Sequence, residues 1–129
     1  MRMTRNNPEK IIYSELSYVI NGLCFKVQGE LGRFCREKQY CDALERKLQE
    51  AGLNYKRESD VSNEYVDGNI ADFVIDGKIL LEAKSVPYIT KKDYFQVQRY
   101  LHSAGLKLGL LVNFRSLYLK PKRIINAAL

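Results

Sequence analysis

Apolar positions in the first third of the chain follow a helical period. Between residues 11 and 27 they recur at spacings of three and four, which predicts a helix with Ser14 as its N-cap. A second helix is predicted around residues 40–48, where Tyr40 and Leu48 share one face and Gly52 marks the C-terminal end. The chain therefore begins with two helices.

The middle of the chain changes to the shorter runs typical of strands. Residues 53–60 form a short polar run, and residues 63–69 are rich in turn formers. Two apolar runs follow at residues 70–75 and 78–84, separated by Asp76-Gly77, a pair that favours a type I′ turn. This pattern predicts a β-hairpin.

The last helix and strand are bounded by clear local signals. Thr90 and Asp93 form a capping-box-like start, and Gly105 ends a helix that runs to about Ala104. Residues 106–113 are a continuous apolar run, which predicts a buried strand. The order of elements indicates an α/β fold with a small mixed sheet and helices on both faces.

Length and composition fit one globular domain spanning residues 1–129. The chain has 129 residues, 46% of them hydrophobic and 28% charged, which excludes disordered and collagen-like classes. No apolar run approaches the roughly 20 residues that span a bilayer, and the charged start has no signal-peptide core. The three cysteines are without a CxxC pair, so we expect reduced thiols and a cytoplasmic setting, with no membrane partner.

Charge is distributed unevenly along the chain. Residues 84–129 hold nine basic side chains against the single carboxylate of Asp93, a net charge of +8, whereas residues 1–83 carry a net charge of −2. Clustered lysines and arginines favour a polyanion such as nucleic acid, because binding releases condensed counterions. A solvated surface that promotes solubility is the other interpretation, and charge alone leaves both open.

The predicted hairpin carries the candidate chemistry. Glu82 and Lys84 are two residues apart and therefore share a face, and hairpin pairing can bring Asp72 close to them. Two neighbouring carboxylates repel unless a cation lies between them, and Mg²⁺ prefers such oxygen ligands, with the Ala83 carbonyl as a further one. Lys84 can orient a water or neutralise charge on a phosphate. The alternative is an ion pair of Glu82 with Lys84 on a half-exposed strand.

The following helix adds polar groups to this picture. Gln96 and Tyr100 are four apart, share one face, and can hydrogen-bond a phosphate or the carboxylates, unless they are only the polar margin of an amphipathic helix. Lys91, Lys92 and Arg99 on the same helix can contact a nucleic-acid backbone.

The C-terminal tail leaves two interpretations open, and the other motifs exclude several functions. The C-terminal tail mixes aromatic and basic residues, so Arg115 and Lys120 belong either to a phosphate-contacting arm or to a solvated extension. A P-loop is absent, no zinc spacing is present, and the single histidine, His102, is expected at the surface.

Together these residues carry a family resemblance. Asp72, followed by Glu82-Ala83-Lys84 and then by Gln96 and Tyr100, resembles the PD-(D/E)XK nuclease superfamily. Residues 36–40, 98–101 and 106–114 are similar to the small bacterial GxxExxY proteins within it. Two positions depart from these patterns: Phe34 stands where the first glycine of the naming motif is expected, and Ala71 stands where proline precedes the aspartate.

The resemblance implies a restriction-endonuclease-like core with a four-stranded mixed sheet flanked by helices. It implies Asp72 and Glu82 as ligands of Mg²⁺, with Mn²⁺ as a substitute, and Lys84 as the catalytic lysine. An acidic residue from the first helical segments completes such sites, Glu37 first and Glu30 second. We expect a nuclease that hydrolyses DNA, with a second copy of the chain as a possible partner. The alternative is a nuclease-fold module that binds nucleic acid or a protein without cutting.

Overall fold

The computed structural model describes residues 12–60 and 70–127. Three helices and five strands follow one another in the order α1 (Ser14–Leu31), α2 (Glu37–Glu50), β1 (Tyr55–Asp60), β2 (Ile70–Ile75), β3 (Ile79–Lys84), α3 (Lys91–Ala104), β4 (Leu108–Asn113) and β5 (Lys122–Ile125). The turn predicted at residues 63–69 and the apolar position Ile11 lie outside the described residues. Among the helices described, none combines the length and apolar character that a membrane crossing requires.

The five strands form one mixed sheet with the spatial order β1-β2-β3-β4-β5. Strands β1, β2 and β3 are antiparallel neighbours, β3 and β4 run parallel, and β5 returns antiparallel to β4. Because β3 and β4 are parallel, the chain must cross over between them, and α3 forms that crossover. The sheet is therefore mixed and flanked by helices, as the sequence predicts.

The prediction of four strands was wrong, because the C-terminal tail contributes a fifth. Residues 122–125 pair with β4, from Leu108 opposite Ile125 to Leu111 opposite Lys122. The tail is therefore neither a free arm nor a solvated extension over these residues. Arg123 fixes β5 to the start of α1, where its guanidinium donates to Ser17 Oγ at 2.8 Å and to the Ile12 carbonyl at 2.7 Å.

The sheet separates two hydrophobic layers, which confirms that helices cover both faces. Helices α1 and α2 pack against one face, where Tyr40 stacks on Phe114 with ring centroids 4.5 Å apart. Helix α3 packs against the other through Val97 and Leu101. Gly109 on β4 allows this close approach, since a Cβ there would lie 2.7 Å from Val97 Cγ1.

Local signals gave the hairpin turn and the cap of α3 correctly, but not the cap of α1 or the starts of three strands. Asp76 and Gly77 both have positive φ angles, and the Lys78 N–H donates to the Ile75 carbonyl, as a type I′ turn requires. Thr90 and Asp93 form the predicted capping box. Ser14 is not the N-cap of α1, because Tyr13 takes that position without a side-chain cap. The predicted strand starts at 53, 78 and 106 were also early, by one or two residues.

Candidate active site

Two carboxylates interrupt the pairing of β2 with β3. The observed register ends at Phe73 opposite Leu81, so Asp72 and Glu82 come next and lie opposite each other. There the Asp72 N–H donates to Glu82 Oε1 at 2.7 Å, and the Ala83 N–H donates to Asp72 Oδ2 at 2.8 Å. Side-chain oxygens thus replace the carbonyls that would continue the ladder. Both carboxylates are held in place by the backbone of the opposite strand.

The environment of this pair is unfavourable for two negative charges. Glu82 is 5% exposed and Asp72 is half-buried. Burial raises the pKa of Glu82, and the neighbouring Asp72 carboxylate raises it further. Burial likewise raises the pKa of Asp72, against the lowering effect of the Ala83 N–H and of Lys84. The pair is therefore short of positive charge and suited to a cation.

Lys84 follows the pair on β3 and is held by two residues of α3. Its Nζ donates to Gln96 Oε1 at 3.0 Å and lies 3.7 Å from Asp93 Oδ1. Gln96 in turn donates through Nε2 to the Tyr100 hydroxyl at 3.1 Å, and the pKa of Tyr100 is raised by burial and by the charge of Glu82. The structure thus brings Gln96 and Tyr100 to the hairpin residues.

Asp93 is the neighbour that sequence reasoning missed. Its Oδ2 accepts from the Thr90 N–H at 3.0 Å, which is the capping role that the sequence indicated. Its other oxygen faces Lys84 across the gap between α3 and β3. The spacing of Asp93 and Gln96, three residues apart on one helix face, is the signal that could have found this contact.

Of the two acidic residues considered to complete the site, Glu37 lies near it and Glu30 does not. Glu37 is exposed, but partial desolvation raises its pKa, Lys84 lowers it, and the charges of Asp72 and Asp93 raise it, which places this carboxylate within the electrostatic reach of all three. Glu30 instead pairs with Lys47, with 2.6 Å between Oε2 and Nζ.

The basic residues predicted to bind nucleic acid lie in different settings. Lys91 and Lys92 are exposed in the first turn of α3, and Arg99 is exposed on the same helix, with its guanidinium 5.4 Å from the centre of the Tyr100 ring. Lys120 is exposed between β4 and β5. Arg115 is half-buried, and its Nη2 donates at 3.2 Å to the carbonyl of Ser85, the residue that follows Lys84.

The donors at this site are oxygens, which fit a hard divalent cation such as Mg²⁺. Within residues 12–60 and 70–127, no group of three histidine, cysteine, aspartate or glutamate side chains is arranged to hold a metal. Mg²⁺ is commonly held by one or two carboxylates together with water and substrate oxygens. Asp72 Oδ1 and Glu82 Oε2 receive no protein hydrogen bond among the described residues. The Ala83 N–H faces β2, and in a β-strand the carbonyl of a residue lies on the same side as its N–H.

Comparison with known proteins gives one match. A family model described as the PD-(D/E)XK nuclease superfamily matches residues 14–125, a range that begins with α1 and ends with β5. No curated protein and no solved structure matches the chain. The match reaches the superfamily and goes no further, so the resemblance to the GxxExxY group stays a prediction.

Proposed function

Because the chain belongs to the PD-(D/E)XK nuclease superfamily, we propose that it is a metal-dependent nuclease of the GxxExxY group that hydrolyses DNA phosphodiester bonds. The observation that carries the proposal is the reciprocal pairing of Asp72 and Glu82 with each other's strands, next to a Lys84 fixed by α3. Two carboxylates that a sheet holds face to face have raised pKa values, and a bound cation favours the charged form of both, while a lysine beside them adds a positive charge.

In this proposal Asp72, Glu82 and the Ala83 carbonyl hold Mg²⁺, with Mn²⁺ as a substitute and Glu37 completing the acidic side of the site. The bound metal would lower the pKa of the attacking water and polarise the phosphate. The hairpin fixes the direction of both carboxylates through the N–H groups of Asp72 and Ala83, so little reorganisation is needed when the substrate arrives.

Lys84 acts on the water and the phosphate in this proposal. Its side chain is 16% exposed, and its charge lowers the pKa of both Asp72 and Glu82, so the ammonium acts within electrostatic reach of the carboxylates. An ammonium there orients the water whose oxygen forms the new bond to phosphorus, and it stabilises the added negative charge on the phosphate oxygens. The water gives up one proton to solvent as its oxygen bonds to phosphorus, the bond from phosphorus to the leaving oxygen breaks, and that oxygen takes a proton from solvent. Gln96 and Tyr100 hold Lys84 in position.

The basic side chains support a DNA substrate over a neutral one. Lys91 and Lys92 occupy the first turn of α3, where the helix dipole disfavours positive charge. They therefore contribute little to helix stability and are available for phosphates, together with Arg99, Arg115 and Lys120. A duplex has two strands, so cutting both in one encounter would require a second copy of the chain.

A cleavage assay tests the proposal. Supercoiled plasmid, linear duplex, single strand and a branched junction are incubated with Mg²⁺, Mn²⁺ or EDTA. We expect metal-dependent cutting that is lost in Lys84→Ala and in Glu82→Gln. The matched control is Lys78→Ala, which removes an exposed lysine of the same hairpin and should keep wild-type activity. Cutting that survives in Lys84→Ala would contradict the assignment.

One observation favours a second candidate, a module that binds nucleic acid or a protein without cutting. Each carboxylate already satisfies a backbone N–H of the opposite strand, so the pair also serves to close the hairpin. Under this alternative, folded protein binds DNA in the same assay but cuts none of the four substrates with either metal.

A further inference from the structure

Three loops meet at the end of the sheet beside Lys84, and we call them the rim loops: residues 32–36 between α1 and α2, residues 85–90 after β3, and residues 114–121 after β4. Side chains join them in a closed ring. Ser85 Oγ donates to the Cys35 carbonyl at 2.8 Å, Arg115 Nη2 donates to the Ser85 carbonyl at 3.2 Å, and Arg33 Nε donates to the Arg115 carbonyl at 2.9 Å.

The first rim loop is also fixed from below. The Tyr40 hydroxyl donates to the Gly32 carbonyl at 2.5 Å and accepts from the Cys35 N–H at 3.2 Å, while its ring stacks on Phe114. Tyr40 is fully buried. The rim is therefore formed before any substrate binds, which lowers the entropy cost of binding.

Each rim loop presents one exposed aromatic side chain to solvent. Phe34 is 76% exposed, Tyr88 is 78% exposed and Tyr118 is 86% exposed. Two guanidinium groups lie near the Phe34 ring: that of Arg33 is 5.1 Å from the ring centre and that of Arg115 is 5.8 Å from it. Both distances are within the range of a cation–π contact, so the three side chains support one another.

The charge of the rim loops favours an anionic partner. The three rim loops contain four basic residues and no acidic one, namely Arg33, Arg36, Arg115 and Lys120. A flat ring next to a guanidinium is complementary to a nucleotide, since a base can stack on the ring while the cation contacts the phosphate.

We propose that the rim loops bind unpaired nucleotides of a DNA strand, with Phe34 as the stacking surface and Arg33 and Arg115 as phosphate contacts. In a paired duplex the faces of the bases are stacked on one another, so only an unpaired base can stack on Phe34. The rim adjoins the site through Ser85 and Glu37, and the inference rests on the proposed function. It assigns single-stranded ends, flaps or junctions as the substrate class.

Binding is measured separately from cleavage. Fluorescence anisotropy in EDTA follows the wild-type protein with a labelled single strand, the fully paired duplex of the same sequence, and that duplex with a single-stranded flap. We expect tighter binding to the single strand and the flap. Phe34→Ala should weaken binding to both roughly tenfold to a hundredfold, the loss expected for one stacked base, and leave the duplex nearly unchanged.

Matched variants separate stacking from charge. Phe34→Trp keeps an aromatic face and should retain binding, whereas Phe34→Leu keeps only apolar bulk and should behave like Phe34→Ala. The logarithm of the binding constant falls with the logarithm of the salt concentration. Arg33→Ala should make this fall less steep by about 0.7, the value for one phosphate contact on a single strand. Tyr18→Ala on α1 removes an aromatic side chain that is 80% exposed and should change nothing.

Four results would overturn the inference. Phe34→Ala could bind the single strand as tightly as wild type, or it could lose equal affinity for strand and duplex. Sedimentation without DNA could show a wild-type dimer that Phe34→Ala converts to a monomer, which would make the rim a contact between copies. The cleavage assay is judged independently: cutting lost in Lys84→Ala but indifferent to Phe34→Ala upholds the nuclease and rejects the rim. If no substrate is cut but binding to the single strand depends on Phe34, the rim proposal stands and the nuclease proposal is rejected.

Discussion

At the scale of single residues, the site is shaped by a conflict between charge and hydrogen bonding. Asp72 and Glu82 lie opposite each other, an arrangement that destabilises an antiparallel pair when both side chains are negative. Each carboxylate gains in return a charge-assisted hydrogen bond from the opposite strand, at 2.7 and 2.8 Å. The hairpin thus holds two acidic groups together, and their raised pKa values show that the doubly charged pair is unfavourable until a cation binds.

Glu82→Gln separates these two effects, because glutamine keeps the oxygen that accepts from Asp72 but loses the charge. We expect saturating Mg²⁺ to stabilise the wild-type protein by about 2.7 kcal/mol at a hundred times its Kd, and to stabilise Glu82→Gln far less. Chemical denaturation with and without Mg²⁺ measures both values. Glu50→Gln, an exposed change at the end of α2, is the control and should respond like wild type.

The same pair predicts how stability depends on pH in the absence of metal. The pKa values of Asp72 and Glu82 are raised in the folded protein, so folding favours their protonated forms. Stability from this source is complete below the unfolded values near pH 4 and is lost as pH rises through the folded ones. In EDTA, the free energy of unfolding of wild type minus that of Glu82→Gln should therefore fall as pH rises from about 4.5, the ordinary value for glutamate, to about 8, the pKa of Glu82 in the folded protein. A difference that rises with pH would contradict the assigned environment.

At the scale of elements, the site depends on how closely α3 approaches the sheet. Asp93, Gln96 and Tyr100 are on the side of α3 that faces β3, and the helix contacts β4 at Gly109. A longer distance between helix and sheet would take Gln96 away from Lys84. The small residue on β4 and the polar residues on α3 thus serve the same geometry.

Gly109→Ala tests this packing directly. The added Cβ would lie 2.7 Å from Val97 Cγ1, so either Val97 or the whole helix must shift. We expect a loss of about 1–3 kcal/mol in the free energy of unfolding, typical of overpacking, together with a lower rate of cleavage. Gly29→Ala on α1, where nothing lies within 4 Å of the new Cβ, should not destabilise the protein. Equal effects of the two changes would argue against a tight contact.

Elements with local signals could be predicted from the sequence, and elements that depend on distant partners could not. The I′ turn at Asp76-Gly77 and the cap of α3 rest on neighbouring residues alone, and both were correct. Strand β5 is only four residues long, with Lys122 and Arg123 at its start, so no period identifies it. It exists because β4 presents an unpaired edge and because Arg123 finds acceptors near the start of α1.

The candidate site divides in the same way. Asp72, Glu82 and Lys84 follow from alternation and from the register that the turn sets, so the pattern was sufficient to group them. The capping box of α3 accounts for Asp93 in the sequence, so its contact with Lys84 was not predicted. Glu37 could be reached only through the family resemblance, because its position depends on how the loop at residues 32–36 packs against Ser85.

At the scale of the whole molecule, Arg123 links the C-terminal strand to the first helix. Its guanidinium is bound to Ser17 Oγ and to the Ile12 carbonyl, more than a hundred residues away in sequence. These hydrogen bonds thereby join the two ends of the described chain.

Replacing this arginine should loosen the whole fold. Arg123→Met keeps an apolar stem but removes both hydrogen bonds. We expect the free energy of unfolding to fall by at most about 1.5–3 kcal/mol for each charged hydrogen bond removed. Urea denaturation gives the value. Lys122→Met changes the exposed neighbour on β5 and should cost little. A destabilisation equal to that of Lys122→Met would show that Arg123 is not a structural link.

We also expect the short separation of Asp72 and Glu82 to affect how the chain folds. The two residues are ten apart and are joined by a tight turn, so their pairing needs little loop closure and can form early. Repulsion between them then acts in the folding transition state as well as in the native protein. In EDTA at alkaline pH, Glu82→Gln should fold faster than wild type rather than only unfold more slowly. A cation at this hairpin would then act as a nucleating agent for the chain that later uses it.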